Sequence, residues 1–326
     1  MKGATVEFVG AEAGIERDLV PHAGYTLHTL SLTSFSGGPV ARMGAGLLFL
    51  KALARCRTLL RKLSPAAVLG VGGYASAPAV VVATAMGIPT FLHEQNSVPG
   101  RVNRLTSRFT KGTFVTFPAA EEHLRGAAWV GMPTRQELFG ASREEALRDL
   151  GLQPPVVLIF GGSGGALKIN LSAAEAFGGS TPYTVVQISG RRDYPRLHTN
   201  NPRHIILEYV DDIWCYLAAA DVVVSRAGAG SLFDMAAVGR AAMLVPFPHA
   251  TGDHQLHNAR FFTDKGAGEL LLDAEVDATT LRGRVEGLLE DERRREEFAG
   301  RMRALATPRA AEEVAGRLLR AAAKRE

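Results

Sequence analysis

A run of apolar residues that ends in a glycine turn constrains the fold of this chain most strongly. Residues 156–160, Val-Val-Leu-Ile-Phe, form a continuous apolar segment, and residues 161–166, Gly-Gly-Ser-Gly-Gly-Ala, follow it directly. Such a segment is typical of a strand buried on both faces, and a helix can begin near Ala166. Glycines let backbone N–H groups approach an anion at a helix N-terminus. The motif therefore predicts a phosphate-binding turn that opens a nucleotide-type domain in the middle of the chain.

Strand and helix patterns alternate along the whole chain, which predicts two α/β domains with parallel sheets. A boundary is expected near residue 132, giving a first domain of residues 1–132 with the C-terminal helix 308–326, and a second of residues 133–307. Ser142 and Glu145 have the spacing of a capping box that opens a helix. We predict strands over residues 5–9, 66–69, 88–92, 156–160, 183–188, 204–207, 222–225 and 242–245.

Composition excludes several classes of protein. The 326 residues are 46% hydrophobic, with a net charge of +4 and two cysteines that lack metal-site spacing. This is enough apolar material for two cores, and the charge is too small to indicate a nucleic-acid partner. No signal peptide is visible, and the apolar runs are shorter than the roughly 18 residues that a membrane helix needs.

Two polar loops lie in the first domain. Gly70-Val71-Gly72-Gly73-Tyr74-Ala75 reads as G-x-G-x-x-A, with Glu94 at the next strand end, so a dinucleotide-binding dehydrogenase is one alternative. A tight strand–helix turn, with Pro78 in the first turn of the helix, explains the same residues. The second loop, residues 93–100, begins His-Glu-Gln-Asn, and these side chains are candidates for substrate contact.

Two more loops lie in the second domain. Ser231 and Asp234 have capping-box spacing, so Asp234 is either a carboxylate at a helix start or an acceptor for ribose hydroxyls. Residues 247–258 hold three histidines and Asp253, but the spacing matches no familiar metal site. We expect a polar loop that faces substrate, with Gln255 and His254 as hydrogen-bonding groups.

Residues 40–63 carry no acid but contain six Lys or Arg residues and several leucines. An apolar helix with only cationic partners can lie on an anionic membrane surface. The alternative is an ordinary packed helix whose long cationic side chains extend over apolar neighbours.

Taken together, these motifs resemble the MurG family of peripheral membrane glycosyltransferases. The resemblance spans essentially the whole chain and runs through residues 70–74, 93–96, 131–135, 161–166, 225–230 and 253–258. It implies two Rossmann-like domains facing a cleft (the GT-B fold), and transfer of GlcNAc from UDP-GlcNAc to lipid I at the cytoplasmic face of the membrane, with inversion and without a metal or other cofactor. The donor contacts it implies are Asn96, Arg135, Ser163, Val210, Gly230, Ser231, Asp234 and Gln255. His93 and Glu94 are candidates for the catalytic base.

The chain departs from the family pattern in three places. The first strand and a G-G-T-G-G-H loop are absent, Asp234 replaces the usual Glu, and Gly164 replaces a common Gln. We expect a mis-assigned start, and otherwise an impaired protein that binds UDP-GlcNAc without turnover. A missing central strand would expose apolar surface in the first domain. A UDP-sugar epimerase of the same fold is a further alternative.

Overall fold

The computed structural model describes residues 3–33, 38–162 and 165–323, which form two compact units. The N-terminal unit consists of Met1–Gln95, Pro99–Val130 and Glu312–Glu326. The C-terminal unit consists of Asn96–Val98 and Gly131–Ala311. No described helix is long and apolar enough to cross a bilayer.

The N-terminal unit is an α/β unit whose described strands pair in parallel. These strands are β1 (Glu7–Ala11), β2 (Thr26–Leu30), β3 (Val68–Gly70), β4 (Thr90–Glu94), β5 (Gly112–Val115) and β6 (Ala127–Trp129). The helices between them are α1 (Glu16–His22), α2 (Pro39–Leu63), α3 (Gly73–Ala85) and α4 (Arg101–Thr106). Across the described residues, β1 pairs only with β2, while β3, β4, β5 and β6 form a second sheet in that order.

The two sheets of this unit share one apolar core. Val9 of β1, Leu30 of β2 and Val68 of β3 pack in the same cluster, together with α2 and α3. Apolar surface is exposed at the two-stranded sheet, where the rings of Phe8 and Tyr25 lie 5.3 Å apart and are both largely exposed. The expectation that another strand and a glycine loop precede this segment stays a prediction.

The C-terminal unit contains a parallel sheet buried on both faces. Its described strands are β7 (Val156–Phe160), β8 (Thr184–Ile188), β9 (His204–Leu207), β10 (Val222–Ser225), β11 (Ala241–Leu244) and β12 (Glu269–Leu270), in the spatial order β12-β11-β10-β7-β8-β9. The helices are α5 (Arg143–Leu150), α6 (Leu167–Phe177), α7 (Ile213–Ala219), α8 (Ala229–Val238), α9 (His254–Thr263), α10 (Ala278–Glu290) and α11 (Glu292–Ala304). The last helix, α12 (Ala310–Ala323), packs Val314 against Phe91 and Phe114 of the N-terminal unit. The predicted two-domain α/β fold with parallel sheets is confirmed.

The predicted helix start was right at α5 and wrong at α3, and at α8 the glycine turn opens the helix as expected but Ser231 is not its cap. Ser142 caps α5 by accepting from the Glu145 N–H. Helix α3 begins at Gly73, so Pro78 lies inside the helix and not in its first turn. Both turns are made by glycine: Gly72 has a φ of 86° before α3, and an extended Gly228 is the N-cap of α8. When a glycine makes the turn, the helix can begin directly after it, because no side-chain cap is needed.

Candidate donor site at the edge of the C-terminal sheet

The candidate site lies at the carboxyl edge of the C-terminal sheet. Because its strands are parallel, the loops that follow β7, β9, β10 and β11 all emerge at one edge. Ligands of open α/β sheets bind at this edge. The loops after β7, β9 and β11, together with the start of α8, carry most of the residues that the sequence assigns to the donor.

The glycine turn after β7 has a backbone that larger residues could not adopt. A Cβ on Gly161 would lie 2.4 Å from the Cβ of Ala166, and Gly162 has a φ of 81°. Gly165 packs against Asp193 so closely that a Cβ would lie 2.9 Å from its Oδ2. Ser163, the predicted phosphate contact and helix cap, lies outside the described residues. Helix α6 begins after Ala166, whose side chain makes no capping hydrogen bond.

A buried polar network supports this turn from behind. The Asn170 Nδ2 donates to Asp193 Oδ2 at 3.0 Å and to the Ser189 carbonyl oxygen at 2.9 Å. The Gln187 side chain donates to Asn170 and also lies 2.9 Å from the Nε2 of His204. All of these side chains are buried. Buried hydrogen bonds restrict the geometry of the groups they join, so the contacts of Asn170 with Asp193 and Ser189 support the backbone of the turn.

Asp234 is a half-buried carboxylate in α8. Burial raises its pKa from 3.8 to about 6, and the positive charge of Arg135 acts in the opposite direction. Ser231 lies in the first turn of α8 and Asp234 one turn later, because the N-cap is Gly228. The capping-box explanation of Ser231 and Asp234 is therefore wrong. Gly230 lies beside Ser231, and a Cβ there would meet only the methyl group of Met132 at 4.0 Å.

Arg135 is held by an aromatic ring that the sequence did not indicate. Its guanidinium carbon lies 5.3 Å from the centre of the Trp214 ring, which is a cation–π distance. Trp214 is in α7, four residues after the half-buried Val210 that follows β9. The structure thus brings Arg135 and Asp234 within electrostatic reach, with Trp214 as a neighbour. In the sequence, the available indication of this contact was the position of Trp214, two residues after Asp211-Asp212.

Gln255 faces the loop that follows β11. Its Oε1 accepts a hydrogen bond of 2.9 Å from the N–H of Phe247. His249 packs against the Phe247 ring, and His254 contacts the carbonyl oxygen of Thr251. Within the described ranges, no three His, Cys, Asp or Glu side chains lie close enough together to hold a metal ion.

Asn258 is a structural member of this site that the sequence reasoning left without a role. It is fully buried, and its Oδ1 accepts 2.8 Å hydrogen bonds from both the N–H and the hydroxyl of Ser97. Its Nδ2 donates to the Oδ1 of Asn96 at 3.1 Å. Asn96, a predicted donor contact, is thereby fixed to the C-terminal unit. Its position inside the matching segment 253–258 was the only sequence signal.

His93 and Glu94, the candidate bases, lie at the end of β4 in the N-terminal unit and are both 3% exposed. The Oε2 of Glu94 accepts from the Gly100 N–H at 3.0 Å and from Asn103 Nδ2 at 2.8 Å. These bonds hold the start of α4, so Glu94 has a structural role here and not the ribose contact of a dehydrogenase. The Nδ1 of His93 lies 3.2 Å from the Gln95 amide nitrogen.

Two α/β units with parallel sheets, the second with a glycine turn and a half-buried carboxylate near the carboxyl edge of its sheet, have the architecture of the GT-B class of nucleotide-sugar enzymes. Residues 1–115 match the glycosyltransferase family 28 N-terminal domain, and residues 156–314 match the glycosyltransferase family 28 C-terminal domain. The chain belongs to glycosyltransferase family 28 and, within it, to the MurG group.

Relatives of known name support this assignment. A protein of Rubrobacter xylanophilus is 65% identical over 98% of this chain and 96% of its own length. It is named UDP-N-acetylglucosamine--N-acetylmuramyl-(pentapeptide) pyrophosphoryl-undecaprenol N-acetylglucosamine transferase. The crystal structure of MurG from Acinetobacter baumannii is 27% identical, with a TM-score of 0.75, and covers 98% of this chain and 92% of its own. A UDP-N-acetylglucosamine 2-epimerase from Listeria monocytogenes has a TM-score of 0.64 over 95% of each chain, but at 11% identity it shares the fold alone.

Proposed function

We propose that this chain transfers N-acetylglucosamine from UDP-GlcNAc to lipid I, the undecaprenyl-pyrophosphoryl-MurNAc-pentapeptide, and so forms lipid II for peptidoglycan. The observation that carries the proposal is the 65% identity to a transferase of that name, which extends over nearly the whole length of both chains. An epimerase of the same fold has no comparable support, because its likeness is one of fold only.

The donor is bound along the carboxyl edge of the C-terminal sheet. Asp234 accepts hydrogen bonds from the ribose hydroxyls, and the backbone of Val210 contacts the uracil. The glycine turn, Ser163 and the N-terminal turn of α8 with Gly230 and Ser231 hold the diphosphate. Asn96, Arg135 and Gln255 complete the contacts. In support, most of the described members of this set lie in loops of one sheet edge or in helices that start there: Val210, Gly230, Ser231, Asp234 and Gln255. Backbone N–H groups at helix N-termini favour an anion.

The reaction is a direct displacement with inversion. The muramyl hydroxyl oxygen of the acceptor attacks the anomeric carbon of GlcNAc, and the bond from that carbon to the UDP oxygen breaks. The hydroxyl proton passes to a base, and UDP leaves with the bonding electron pair. Backbone N–H groups at the starts of α6 and α8, with Arg135, stabilise the charge that develops on the diphosphate.

We assign the base to the loop after β4 and favour His93 over Glu94. The Oε2 of Glu94 accepts two hydrogen bonds that hold α4, and protonating the carboxylate would weaken both by removing its charge. His93 is next to the glycine loop of residues 70–74, because the Gln95 amide bonds both the His93 ring and the Val71 carbonyl oxygen. That loop follows the neighbouring strand β3, and we place the acceptor beside it.

The protein binds the cytoplasmic face of the cell membrane peripherally, through α2 and its neighbours. Helix α2 buries Ala45, Ala52 and Cys56 against the core, while Leu47 and Leu50 are 59% and 63% exposed. Between α2, α3 and α4 lies an apolar groove of about 610 Å³. Its lining includes Phe49, Tyr74, Val81, Leu105, Phe109 and Arg101.

Charge favours an anionic surface as the partner of this groove. Arg104 and Arg108 are exposed beside Leu105 and Phe109, which are 66% and 72% exposed. Exposed apolar side chains among cations are typical of membrane-surface binding. Helix α2 is therefore both an ordinary packed helix on one face and a membrane-binding element on the other.

The test is to incubate the protein with labelled UDP-GlcNAc, with and without lipid I in anionic vesicles. A transferase labels the lipid only when lipid I is present and releases UDP. An epimerase converts the donor to UDP-N-acetylmannosamine in both samples, and an impaired protein binds the donor without changing it. Either of the last two results contradicts the proposal.

A further inference from the structure

A buried arginine in the loop after β10 belongs to no part of the proposed mechanism. Arg226 is 7% exposed, and its Nη1 lies 2.6 Å from the Oδ1 of Asp273. The same nitrogen donates to the carbonyl oxygens of Val245 at 3.3 Å and Pro246 at 3.1 Å. A buried charge is retained at little cost only when it is paired and hydrogen-bonded in this way.

This ion pair connects the loops of the candidate donor site. Arg226 follows β10, and the carbonyl groups that it contacts follow β11. Lys168, in the first turn of the helix that follows the glycine turn, donates through its Nζ to the carbonyl oxygens of Asp273 and Ala274. The Arg226–Asp273 pair therefore joins the ends of three elements: β10, β11 and, through Lys168, α6.

From Arg226 a short chain of contacts leads to Gln255. The guanidinium carbon lies 5.5 Å from the centre of the Phe247 ring, within cation–π range. The N–H of Phe247 donates to the Oε1 of Gln255 at 2.9 Å. With its oxygen engaged, the Gln255 amide presents its NH₂ group, which is a donor only. It can therefore meet an acceptor oxygen, such as a sugar hydroxyl or the carbonyl of an acetamido group.

The order of strands indicates which part of the donor Gln255 meets. Val210 follows β9, the glycine turn follows β7, and the Phe247 loop follows β11, in the spatial order β9-β8-β7-β10-β11. Neighbouring strands are about 4.8 Å apart, so each of these loops is about 10 Å from the next. An extended nucleotide sugar with its base at Val210 and its diphosphate at the glycine turn has its sugar near β11.

We propose that Arg226 is a positioning residue that holds Phe247, and through it Gln255, for recognition of the sugar of the donor. The inference rests on the proposed function, because it takes UDP-GlcNAc as the ligand. Lys168 contacts the backbone of Asp273 and Ala274 and does not contact Arg226, so replacing Arg226 leaves the α6 contacts in place and removes the support of Phe247. The loss of Arg226 therefore changes the preference for UDP-GlcNAc over UDP. If Arg226 had a purely structural role, its replacement would change the affinities for both ligands equally.

The test compares the affinities of UDP-GlcNAc and UDP by titration calorimetry. We expect Arg226→Met to lower the affinity for UDP-GlcNAc about fivefold to tenfold, the equivalent of roughly one hydrogen bond. The affinity for UDP should change less than twofold. Gln255→Ala should have the same selective effect, and the double variant should be no weaker than either single one. Such non-additivity is expected of residues that act through one another.

Two further variants control for stability. Arg240 is half-buried and, like Arg226, donates to two backbone carbonyl oxygens, those of Leu217 and Ala218, but it lies before β11 at the opposite edge of the sheet. Arg240→Met should lower the melting temperature without changing the preference between ligands. Phe247→Leu leaves the buried ion pair in place, and it should show the same selective loss even if Arg226→Met does not fold.

The outcomes separate this inference from the proposed function. Equal weakening of both ligands by Arg226→Met and Phe247→Leu, or fully additive effects with Gln255→Ala, overturns the positioning role and leaves the transferase proposal intact. If the unchanged protein does not bind UDP-GlcNAc, both proposals are overturned.

Discussion

Replacing Asp234 with asparagine should stabilise the protein and weaken donor binding at the same time. Burial raises the pKa of this carboxyl from 3.8 to about 6, although the charge of Arg135 opposes the rise. Each tenfold change in an acid constant corresponds to about 1.4 kcal/mol, so the ionised carboxylate costs the fold about 3 kcal/mol at neutral pH. Asparagine is nearly isosteric and carries no charge, so it removes that cost.

The predicted gain depends on pH in a definite direction. Because the folded pKa is raised, the stability linked to this group is fully present below pH 3.8 and is lost as the pH rises through about 6. Asp234→Asn should therefore raise the free energy of unfolding by up to about 3 kcal/mol at pH 7.5 and by almost nothing near pH 3.5.

Urea unfolding at several pH values measures this gain, and calorimetric titration measures donor affinity. The matched control is Asp149→Asn, since that side chain is 70% exposed and its replacement should change stability by less than about 0.5 kcal/mol. We expect Asp234→Asn to lower the affinity for UDP-GlcNAc about tenfold or more, because hydrogen bonds from the ribose hydroxyls to a charged acceptor are lost. In the unchanged protein, affinity should fall as the pH drops below about 6.

Two results would refute this reasoning. If Asp234→Asn is less stable than the unchanged protein at pH 7.5, the carboxylate is not a strained group kept for function. If the variant is more stable but binds UDP-GlcNAc equally well, burial does destabilise the ionised carboxylate, but Asp234 does not contact the ribose.

Two further predictions concern other parts of the chain. His204 is 3% exposed, and burial lowers its pKa from 6.5 to about 4, so stability present above pH 6.5 is lost as the pH falls towards 4. Between pH 7 and 4 the unchanged protein should lose about 3 kcal/mol more than His204→Gln in urea unfolding, and equal losses would contradict the assignment. Leu47→Glu combined with Leu50→Glu should reduce binding to anionic vesicles in a sedimentation assay, since both side chains are exposed on α2. UDP-GlcNAc affinity should not change, and undiminished vesicle binding would exclude this face of α2.

The central strands of the C-terminal unit could be predicted from the sequence to the residue. Strands β7 and β10 have the predicted bounds, because a strand covered on both faces is a continuous apolar run between turn residues. The edge strand β9 also has the predicted bounds, although its Ile205 is exposed. Strands β2, β5, β6 and β12 were missed. Strand β12 is only two residues long and β6 only three, too short for any periodicity to appear.

The side-chain arrangement of the site could be predicted only in part. The motifs indicated Asp234, Gln255 and the glycine turn, because each lies in or beside a loop with recognisable turn chemistry. The roles of Asn258 and Arg226 depend on partners distant in sequence, such as Ser97 for Asn258 and Asp273 for Arg226. No local pattern encodes such a pairing, so these roles come from the tertiary structure alone.

The most direct test of the central claim is the chemical identity of the product. Lipid I and UDP-GlcNAc are incubated with the protein in anionic vesicles, and the lipid is analysed by mass spectrometry and by NMR of the new glycosidic bond. We expect lipid I that has gained one N-acetylglucosamine in a β linkage, with one UDP released for each sugar transferred. Lipid I that is recovered unchanged while the protein binds UDP-GlcNAc would contradict the claim.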